Sequence, residues 1–559
     1  MRQDCSRETP CGSPVTPDTT FFRSSQDPQG VSLLLHVLHL TFIEHPSRMP
    51  LLASISDNFM RKQSPLMLES DTYTTSDADN TASFDAIIIG AGLGGLLSAA
   101  HLLERGKRVL VLERLPHCGG RFTAKTFQGV QVSTGAVHMV PFGSSGVLSQ
   151  MLQHLRVPHR FFDADVFGSF HVHGRQYRVR GILGVFKFLG LHQFAVLVYL
   201  GYLMFLRQLP LHERNLPYNV WLERHIDVKR NPRLVAFFER ISRFALSLEL
   251  RQVSTTEVAE ITKNMFRYGA PAIVQGGCGE LTSQLEQHVT AHGGSIHLSH
   301  DVLQILHADG RVTGVRVYDK AGRKESIIST ALIISDIGPR ATDALLHNHK
   351  VTQAQVLKKQ VEASDSNVQE AVGLKIHILS DVSLIPHKGI MYCLDTKRIA
   401  GMVQPTNSDP RLAPPGKHLL ISHQVIQSNN VEEERALALA DLRMMFGETF
   451  DKYCHVLTMG TYRGEWPVNR MAQGEDVQAE TTTQGLYLVG DAVKPSGYLM
   501  VEGVAQSVYR FLDLLDDSYH ERTQETTNLI RRQRHVLPPP PRRNALRWLW
   551  KAPGNAGKA

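Results

Sequence analysis

Residues 85–106 read DAIIIGAGLGGLLSAAHLLERG, a short apolar run followed by clustered glycines and then by leucines at helical spacing. The change from a continuous apolar run to a period of about 3.6 residues predicts a strand, a tight turn and a helix. Gly90, Gly92 and Gly95 form a GxGxxG pattern, and Gly94 lies beside the third glycine. The first glycine permits the turn, the second lets a diphosphate approach the backbone, and the third lets the helix pack closely on the strand. Together with the helix N-terminus, these glycines predict a dinucleotide site.

A second strand is predicted from Lys107 to Glu113, and it ends in an acid 18 residues after Gly95. In a dinucleotide-binding unit, a carboxylate at this position bonds the ribose hydroxyls of the adenosine. The same carboxylate would repel a 2′-phosphate, which disfavours NADP. A glycine turn without any ligand is the alternative that the residues leave open.

Two further motifs carry a family resemblance. Residues 114–121 read RLPHCGGR, and residues 485–492 read GLYLVGDA. A Glu followed by a Gly-Gly-Arg turn resembles the FAD signature of the flavin amine oxidase and phytoene desaturase superfamily, and the later run resembles its second FAD element. The resemblance implies an FAD-dependent oxidoreductase. It implies non-covalent FAD, since no cysteine lies near residues 496–503 to tether the flavin.

The resemblance also implies roles for individual residues. The backbone near Val302 is expected to contact the adenine, and Asp491 the ribitol and diphosphate. A helix from about Val501 to Leu515 is expected to point its N-terminus at the flavin. The implied cofactor-binding residues are Gly90, Gly92, Gly94, Gly95, Glu113, Arg114, Gly120, Arg121, Gly135, Val302, Gly490, Asp491 and Val501.

Residues 133–143 read STGAVHMVPFG, and in the family the chain passes the flavin at this point. His138 is therefore a candidate residue near the flavin. The alternative is a buried histidine with a structural role. We identify no other catalytic residue from the sequence.

The predicted fold class is α/β, with a Rossmann-like FAD-binding domain of the glutathione reductase type and an inserted α+β substrate lobe. A third block that resembles the family lies at residues 271–281 and 293–305, and it places a further part of the cofactor domain in the middle of the chain. The predicted divisions are a disordered extension (1–82), an FAD-binding domain (83–160, 270–345 and 466–517), a substrate lobe (161–269 and 346–465) and a basic tail containing Pro and Trp (518–559).

The carotenoid-type branch fits better than the monoamine branch, because residues 133–143, 409–417 and 465–470 look like desaturase and isomerase relatives. The resemblance implies a long apolar, isoprenoid or carotenoid substrate that is desaturated or isomerised. We expect apolar side chains in the lobe, without a convergent acid and base. Two alternatives remain: a flavin amine oxidase that produces peroxide, and a non-enzymatic binder of prenylated proteins similar to GDP-dissociation inhibitors.

Other chemistries find little support. No GxSxG motif is present, and the six cysteines show no CxxC spacing that would indicate zinc or a disulfide framework. His171 and His173 would lie on one face of a strand, and we interpret them as structural or solvent-facing. We therefore predict no metal site.

The net charge of +7 does not indicate a nucleic-acid partner. Eight positive charges and no acid follow Ile530, so the rest of the chain carries −1, the difference between +7 and +8. Residues 188–206 form an uncharged apolar run long enough to cross a bilayer. Predicted cofactor segments lie on both sides of this run and must meet in one sheet, so we reject a single membrane crossing. We expect either a cytoplasmic protein with peripheral membrane contact, or a run buried in the lobe. The sequence specifies no oligomeric state.

Overall fold

The computed structural model describes residues 84–135, 137–347, 371–471, 473–474 and 477–515. The predicted extension (1–82) and the predicted basic tail (518–559) lie outside the described residues. Twenty strands occur in the described part of the chain. They are β1 (Ala86–Ile89), β2 (Val109–Glu113), β3 (Ala124–Phe127), β4 (Val130–Ser133), β5 (Met139–Val140), β6 (Phe161–Asp163), β7 (Gly168–Val172), β8 (Arg175–Val179), β9 (Ala272–Val274), β10 (Ser295–Leu298), β11 (His300–Ala308), β12 (Arg311–Asp319), β13 (Lys324–Ser329), β14 (Ile333–Ser335), β15 (Gly373–Ser380), β16 (Ile390–Cys393), β17 (Ile399–Val403), β18 (His418–Val425), β19 (Cys454–Tyr462) and β20 (Leu486–Leu488).

The same residues contain twelve α-helices and several short 3₁₀ turns. The helices are α1 (Leu93–Glu104), α2 (Val147–His154), α3 (Ile182–Gly201), α4 (Leu211–Arg214), α5 (Tyr218–His225), α6 (Pro232–Ala245), α7 (Thr255–Tyr268), α8 (Cys278–Ala291), α9 (Pro339–His347), α10 (Val431–Phe446), α11 (Glu448–Tyr453) and α12 (Met500–Leu515).

A five-stranded parallel sheet has the order β10-β2-β1-β14-β20. Numbered along the chain, its strands therefore lie in the order third, second, first, fourth, fifth. Ile88 of β1 pairs with Ile334 of β14, which pairs with Tyr487 of β20, so distant parts of the sequence meet here. In open parallel sheets ligands bind where the strand order reverses, at the carboxyl ends of the strands. That point lies between β1 and β14.

Both faces of this sheet are covered, which explains why β1 is apolar along its whole length and β2 is apolar up to its last residue, Glu113. Ile88 and Val111 lie in the core that includes Leu96 of α1. On the opposite face, Ile87 and Leu110 lie in the core formed with β11 to β13. The cofactor motifs are therefore held on a rigid, fully buried platform.

A seven-stranded sheet of order β19-β15-β18-β17-β16-β7-β8 forms the second large unit. Residues of β15 alternate between its faces. Leu374 and Ile376 share an apolar core with Leu442 of α10. Lys375 and His377 therefore lie on the other face, and both are fully buried.

The apolar run of the sequence forms α3 and a π-helical turn at Tyr202–Leu206, with a break at Gly190, whose φ is +73°. Only part of it is buried: Leu183 is 59% exposed and Leu191 is 74% exposed. Among the described residues it is the one helix long and apolar enough to cross a membrane. Since strands before and after it pair in one sheet, a single crossing is incompatible with the fold. One face packs on the protein, and the other is exposed.

Candidate functional site

The turn between β1 and α1 needs its glycines for two different reasons. Gly90 has a φ of +98°, a conformation that side chains with a Cβ rarely adopt. A Cβ on Gly95 would collide with the carbonyl oxygen of Gly90, so only glycine permits this close contact of helix and strand. These are the roles predicted for the first and third glycines.

A carboxylate lies inside this glycine turn. Asp336 follows β14, and its Oδ2 accepts a hydrogen bond from the backbone N–H of Gly95 at 3.0 Å. A Cβ added to Gly92, Gly94 or Gly490 would collide with the same carboxylate. We call the space between these four glycines and Asp336 the glycine cradle. The N-terminus of α1, which has no acid in its own first turn, therefore lies against the carboxyl group of Asp336.

The cradle raises the pKa of Asp336 to about 7. Burial is the largest cause, and the negative charge of Asp491 adds to it. The Gly95 N–H and the positive charges of Arg470 and Arg121 act in the opposite direction. When Asp336 is neutral, the helix N-terminus faces no negative charge. A diphosphate would supply that charge, so the electrostatics of the cradle fit a diphosphate.

Glu113 lies at the end of β2, where the predicted ribose ligand was placed, and it is 6% exposed. Its Oε2 accepts from the N–H of Ala91 at 2.7 Å, and its Oε1 accepts from the N–H of Leu115 at 2.8 Å. The carboxylate thus fixes the glycine turn as well as facing the predicted adenosine position. Each oxygen retains acceptor capacity for a hydroxyl.

Arg121 and Asp491 meet although they are far apart in the sequence. Arg121 Nη1 donates to Asp491 Oδ2 at 2.9 Å, and Nη2 donates to Oδ1 at 2.5 Å. The backbone N–H of Arg470 also donates to Asp491 Oδ2, at 2.8 Å. Burial opposes the charge on Asp491, but Arg121 and Arg470 outweigh it and lower its pKa below the usual range. This ion pair joins the two FAD motifs that the sequence identified.

The remaining residues that were predicted to bind the cofactor differ in their surroundings. Gly120 has a φ of +51° and lies against Gly92. Val501 is buried in the first turn of α12. Arg114 is exposed and pairs with Glu465 at 3.2 Å, away from the cradle.

Val302 lies in β11, at the edge of the core behind the five-stranded sheet. Gly135 is a close-contact residue, because a Cβ there would collide with the carbonyl of Arg121.

Three buried titratable side chains converge on the inner face of the seven-stranded sheet. Lys375 Nζ donates to the carbonyl of Gly135 at 3.0 Å and to Ser133 Oγ at 3.2 Å. His377 Nε2 lies 3.1 Å from Ser133 Oγ. His423 of β18 is the strand partner of Lys375. We name Lys375, His377 and His423 the inner-face cluster. From the sequence we expected apolar side chains in the lobe, without a convergent acid and base. This face instead carries three buried titratable groups, none of which is a carboxylate.

Burial dominates the chemistry of the inner-face cluster. It lowers the pKa of Lys375 and of His377 well below their usual values, and it lowers the pKa of His423 to about 3. Both imidazoles are therefore neutral near pH 7. Burial also favours the neutral form of the Lys375 amine, which lies in a dry environment beside the segment that contains Gly135.

His138 has the contacts of a structural residue. It is fully buried, and its Nε2 lies 2.6 Å from the carbonyl of Gln131. Its Nδ1 accepts from the N–H of Cys278 at 3.1 Å. Burial lowers the pKa of His138 to about 4. With both ring nitrogens bonded to backbone, the ring fastens the N-terminus of α8 to the segment before β5.

Sequence reasoning missed Asp336 and the inner-face cluster. For Asp336 the available signal was an acid directly after an apolar strand predicted to return to the sheet. For the cluster it was the alternation of Lys375 and His377 with aliphatic residues in β15, which marks a buried polar face.

Comparison with known proteins identifies the family. A family model described as flavin containing amine oxidoreductase matches residues 93–510. An uncharacterized protein of Methanocaldococcus jannaschii is 31% identical over 429 residues, which cover 77% of this chain and 98% of that protein.

The crystal structure of an oxidoreductase from Methanosarcina mazei is 32% identical, with a TM-score of 0.67 over 77% of this chain and 99% of that chain. The chloroplastic prolycopene isomerase of Arabidopsis thaliana is 24% identical over 405 residues, 63% of this chain and 65% of that protein. The resemblance inferred from the FAD motifs is thereby confirmed. The chain belongs to the flavin containing amine oxidoreductase family, and this membership implies an oxidoreductase with a flavin cofactor.

Proposed function

We propose that this chain is an FAD-dependent oxidoreductase of the phytoene desaturase and carotenoid isomerase type, acting on a long apolar, isoprenoid substrate. The glycine cradle, Glu113 and the Arg121–Asp491 pair support FAD. Similarity to a prolycopene isomerase supports the substrate class. The observation that carries the proposal is a path of aromatic rings through the lobe.

The aromatic path runs from α3 to the inner-face cluster. Phe188 of α3 stacks on Phe170 at 4.4 Å between ring centroids, and Phe170 stacks on Tyr392 at 5.1 Å. Tyr392 meets Phe244 edge to face at 5.6 Å, and Phe244 meets His423 at 6.2 Å. All five rings are buried. These rings pack directly on one another, so they give the lobe a dry, apolar interior that is compatible with an apolar substrate.

The chain's own residues would then perform five tasks. Glu113 would bind the ribose, the glycine cradle the diphosphate, and Asp491 the ribitol. The flavin, when bound, would accept a hydride from the substrate or return one to it. The buried lobe excludes water, and Lys375 holds or releases a proton at Nζ.

An amine substrate is less consistent with the inner-face cluster. An ammonium ion requires a carboxylate or an aromatic cage to replace its hydration. Among the described residues, no carboxylate contacts Lys375 or His377, and the ring of Tyr462 already faces the amine of Lys375 itself.

We also propose peripheral membrane contact of a cytoplasmic protein through the exposed face of α3. This face presents Leu183 and Leu191, and the exposed cations Arg178, Arg180 and Lys187 lie on or just before the helix. Apolar side chains beside cations favour an anionic bilayer surface. An apolar substrate dissolved in the bilayer would enter near Phe188 without crossing water.

The test uses the purified full-length chain with anionic liposomes that contain phytoene or prolycopene. We expect bound flavin, and either anaerobic bleaching of oxidised flavin with a desaturated product, or a geometric isomer formed by the reduced flavin. Putrescine and other primary amines are tested in parallel, with peroxide as the readout. Peroxide from amines without any polyene product would refute the proposal, as would a purified chain that binds no flavin.

A further inference from the structure

A second cluster of chemically active side chains lies at the opposite end of α1 from the glycine cradle. His101 and Glu104 occupy the last turn of α1, and His154 is the last residue of α2. Glu104 Oε2 lies 3.8 Å from His101 Nδ1 and 3.2 Å from His154 Nε2. The two imidazole rings stack with their centroids 5.6 Å apart. One ligand atom from each of the three residues lies within 4.8 Å of the others.

This donor set suits a divalent transition ion. Two imidazole nitrogens and a carboxylate oxygen are common zinc ligands, at about 2.0 to 2.2 Å from the metal, and tetrahedral bonds of that length separate ligands by roughly 3.3 Å. The two distances to Glu104 are close to that separation. The two imidazole nitrogens lie within 4.8 Å of each other, and this distance can close by rotation of His154, whose side chain is 39% exposed.

The position of the cluster also favours a cation. α1 and α2 both end here, and helix C-termini carry partial negative charge. His288, in the last turn of α8, is close enough to act electrostatically on His101 and to be acted on by Glu104. Arg105 is the positive charge that opposes a metal at this point. His101 is 1% exposed, so its ring is held in place before any ion arrives.

Although the sequence led us to expect no metal site, we propose that His101, Glu104 and His154 form a binding site for one divalent first-row transition ion, of which Zn²⁺ fits best, with water completing the coordination. The ion fastens the C-terminal end of α1 to α2. At 1.5 Å per residue, the six to twelve residues between the cradle glycines and His101 or Glu104 span roughly 9 to 18 Å, so the site shares no residue with the cradle.

The experiment uses the full-length, untagged, flavin-containing chain after treatment with a chelator. Zn²⁺ is titrated calorimetrically, and Co²⁺ is added in parallel because its visible absorption reports tetrahedral ligands. We expect one equivalent of Zn²⁺ per chain. Glu104→Gln and His154→Ala each change an accessible side chain and should weaken binding at least tenfold, with flavin absorbance unchanged.

The matched control is His173→Ala. His173 is 84% exposed and lies 3.6 Å from a carboxylate oxygen of Asp395, which gives two donors of the same kinds without the third. This variant should bind Zn²⁺ like the unmodified chain. The proposal is overturned if the unmodified chain takes up no stoichiometric Zn²⁺, if both site variants bind it unchanged, or if the control loses as much affinity as they do.

Discussion

Replacement of Asp336 by asparagine should stabilise the flavin-free chain at neutral pH. The amide oxygen of Asp336→Asn can still accept the hydrogen bond from the Gly95 N–H, so the geometry of the cradle is preserved. What disappears is a carboxylate that must ionise in a buried position beside Asp491. The expected gain therefore depends on pH.

The sign follows from the raised pKa of Asp336, about 7 in the folded chain against an ordinary value of 3.8. Between these pH values the folded chain binds more protons than the unfolded chain, so its stability falls as pH rises from about 4 to about 7. Each pH unit in that window is worth about 1.4 kcal/mol, which gives an upper bound of about 4 kcal/mol. Because the side chain retains partial access to solvent, we expect about 2 to 4 kcal/mol.

Thermal unfolding from pH 4.5 to pH 8 measures this difference. For roughly 400 folded residues, 2 to 4 kcal/mol corresponds to a rise in Tm of about 2 to 5 °C for Asp336→Asn at pH 7.5, with little difference at pH 4.5. Asp491→Asn is the control of opposite sign, because its lowered pKa means that the ionised carboxylate stabilises the fold. Equal Tm values for Asp336→Asn and the unmodified chain across the whole pH range would refute the reasoning.

Three further predictions concern the binding of FAD, the turnover of a polyene and the contact with a membrane. Glu113→Gln should weaken FAD binding roughly ten- to hundredfold by removing a charge-assisted hydrogen bond, and full flavin occupancy after dialysis would contradict the assigned adenosine position. Lys375→Met should lower polyene turnover by about a hundredfold while flavin content is kept, and unchanged turnover would remove Lys375 from the proposed chemistry. Leu191→Asp should reduce co-sedimentation with anionic liposomes. The control, Ile327→Asp, makes the same kind of change at a side chain that is 61% exposed on β13, and it should not reduce co-sedimentation. Equal behaviour of the two variants would exclude α3 as the membrane contact.

The glycine turn was predictable because its requirements are local. A positive φ at Gly90 and a close contact at Gly95 depend on residues a few positions apart, and sequence spacing reports both. The Arg121–Asp491 pair depends instead on how the strands are ordered. Only the family resemblance connected those two residues, since spacing carries no information on a contact of that range.

Other features were not predictable for identifiable physical reasons. Hydropathy gives the composition of α3 but not the surface it meets, and the break at Gly190 turns part of the run toward solvent. Whether His138 is catalytic or structural depended on two backbone partners from separate segments. Asp336 gained its raised pKa only from the cradle assembled around it.

The Arg121–Asp491 pair has a consequence for biosynthesis. The partners are 370 residues apart, and β20, which completes the five-stranded sheet, precedes Asp491 directly. At about 5 to 20 residues per second, a ribosome needs roughly 20 to 70 s to travel from one partner to the other. During that interval Arg121 lacks its acid, and once β14 has been made, its edge stays unpaired until β20 follows. The cofactor site can therefore form only after translation has passed Asp491.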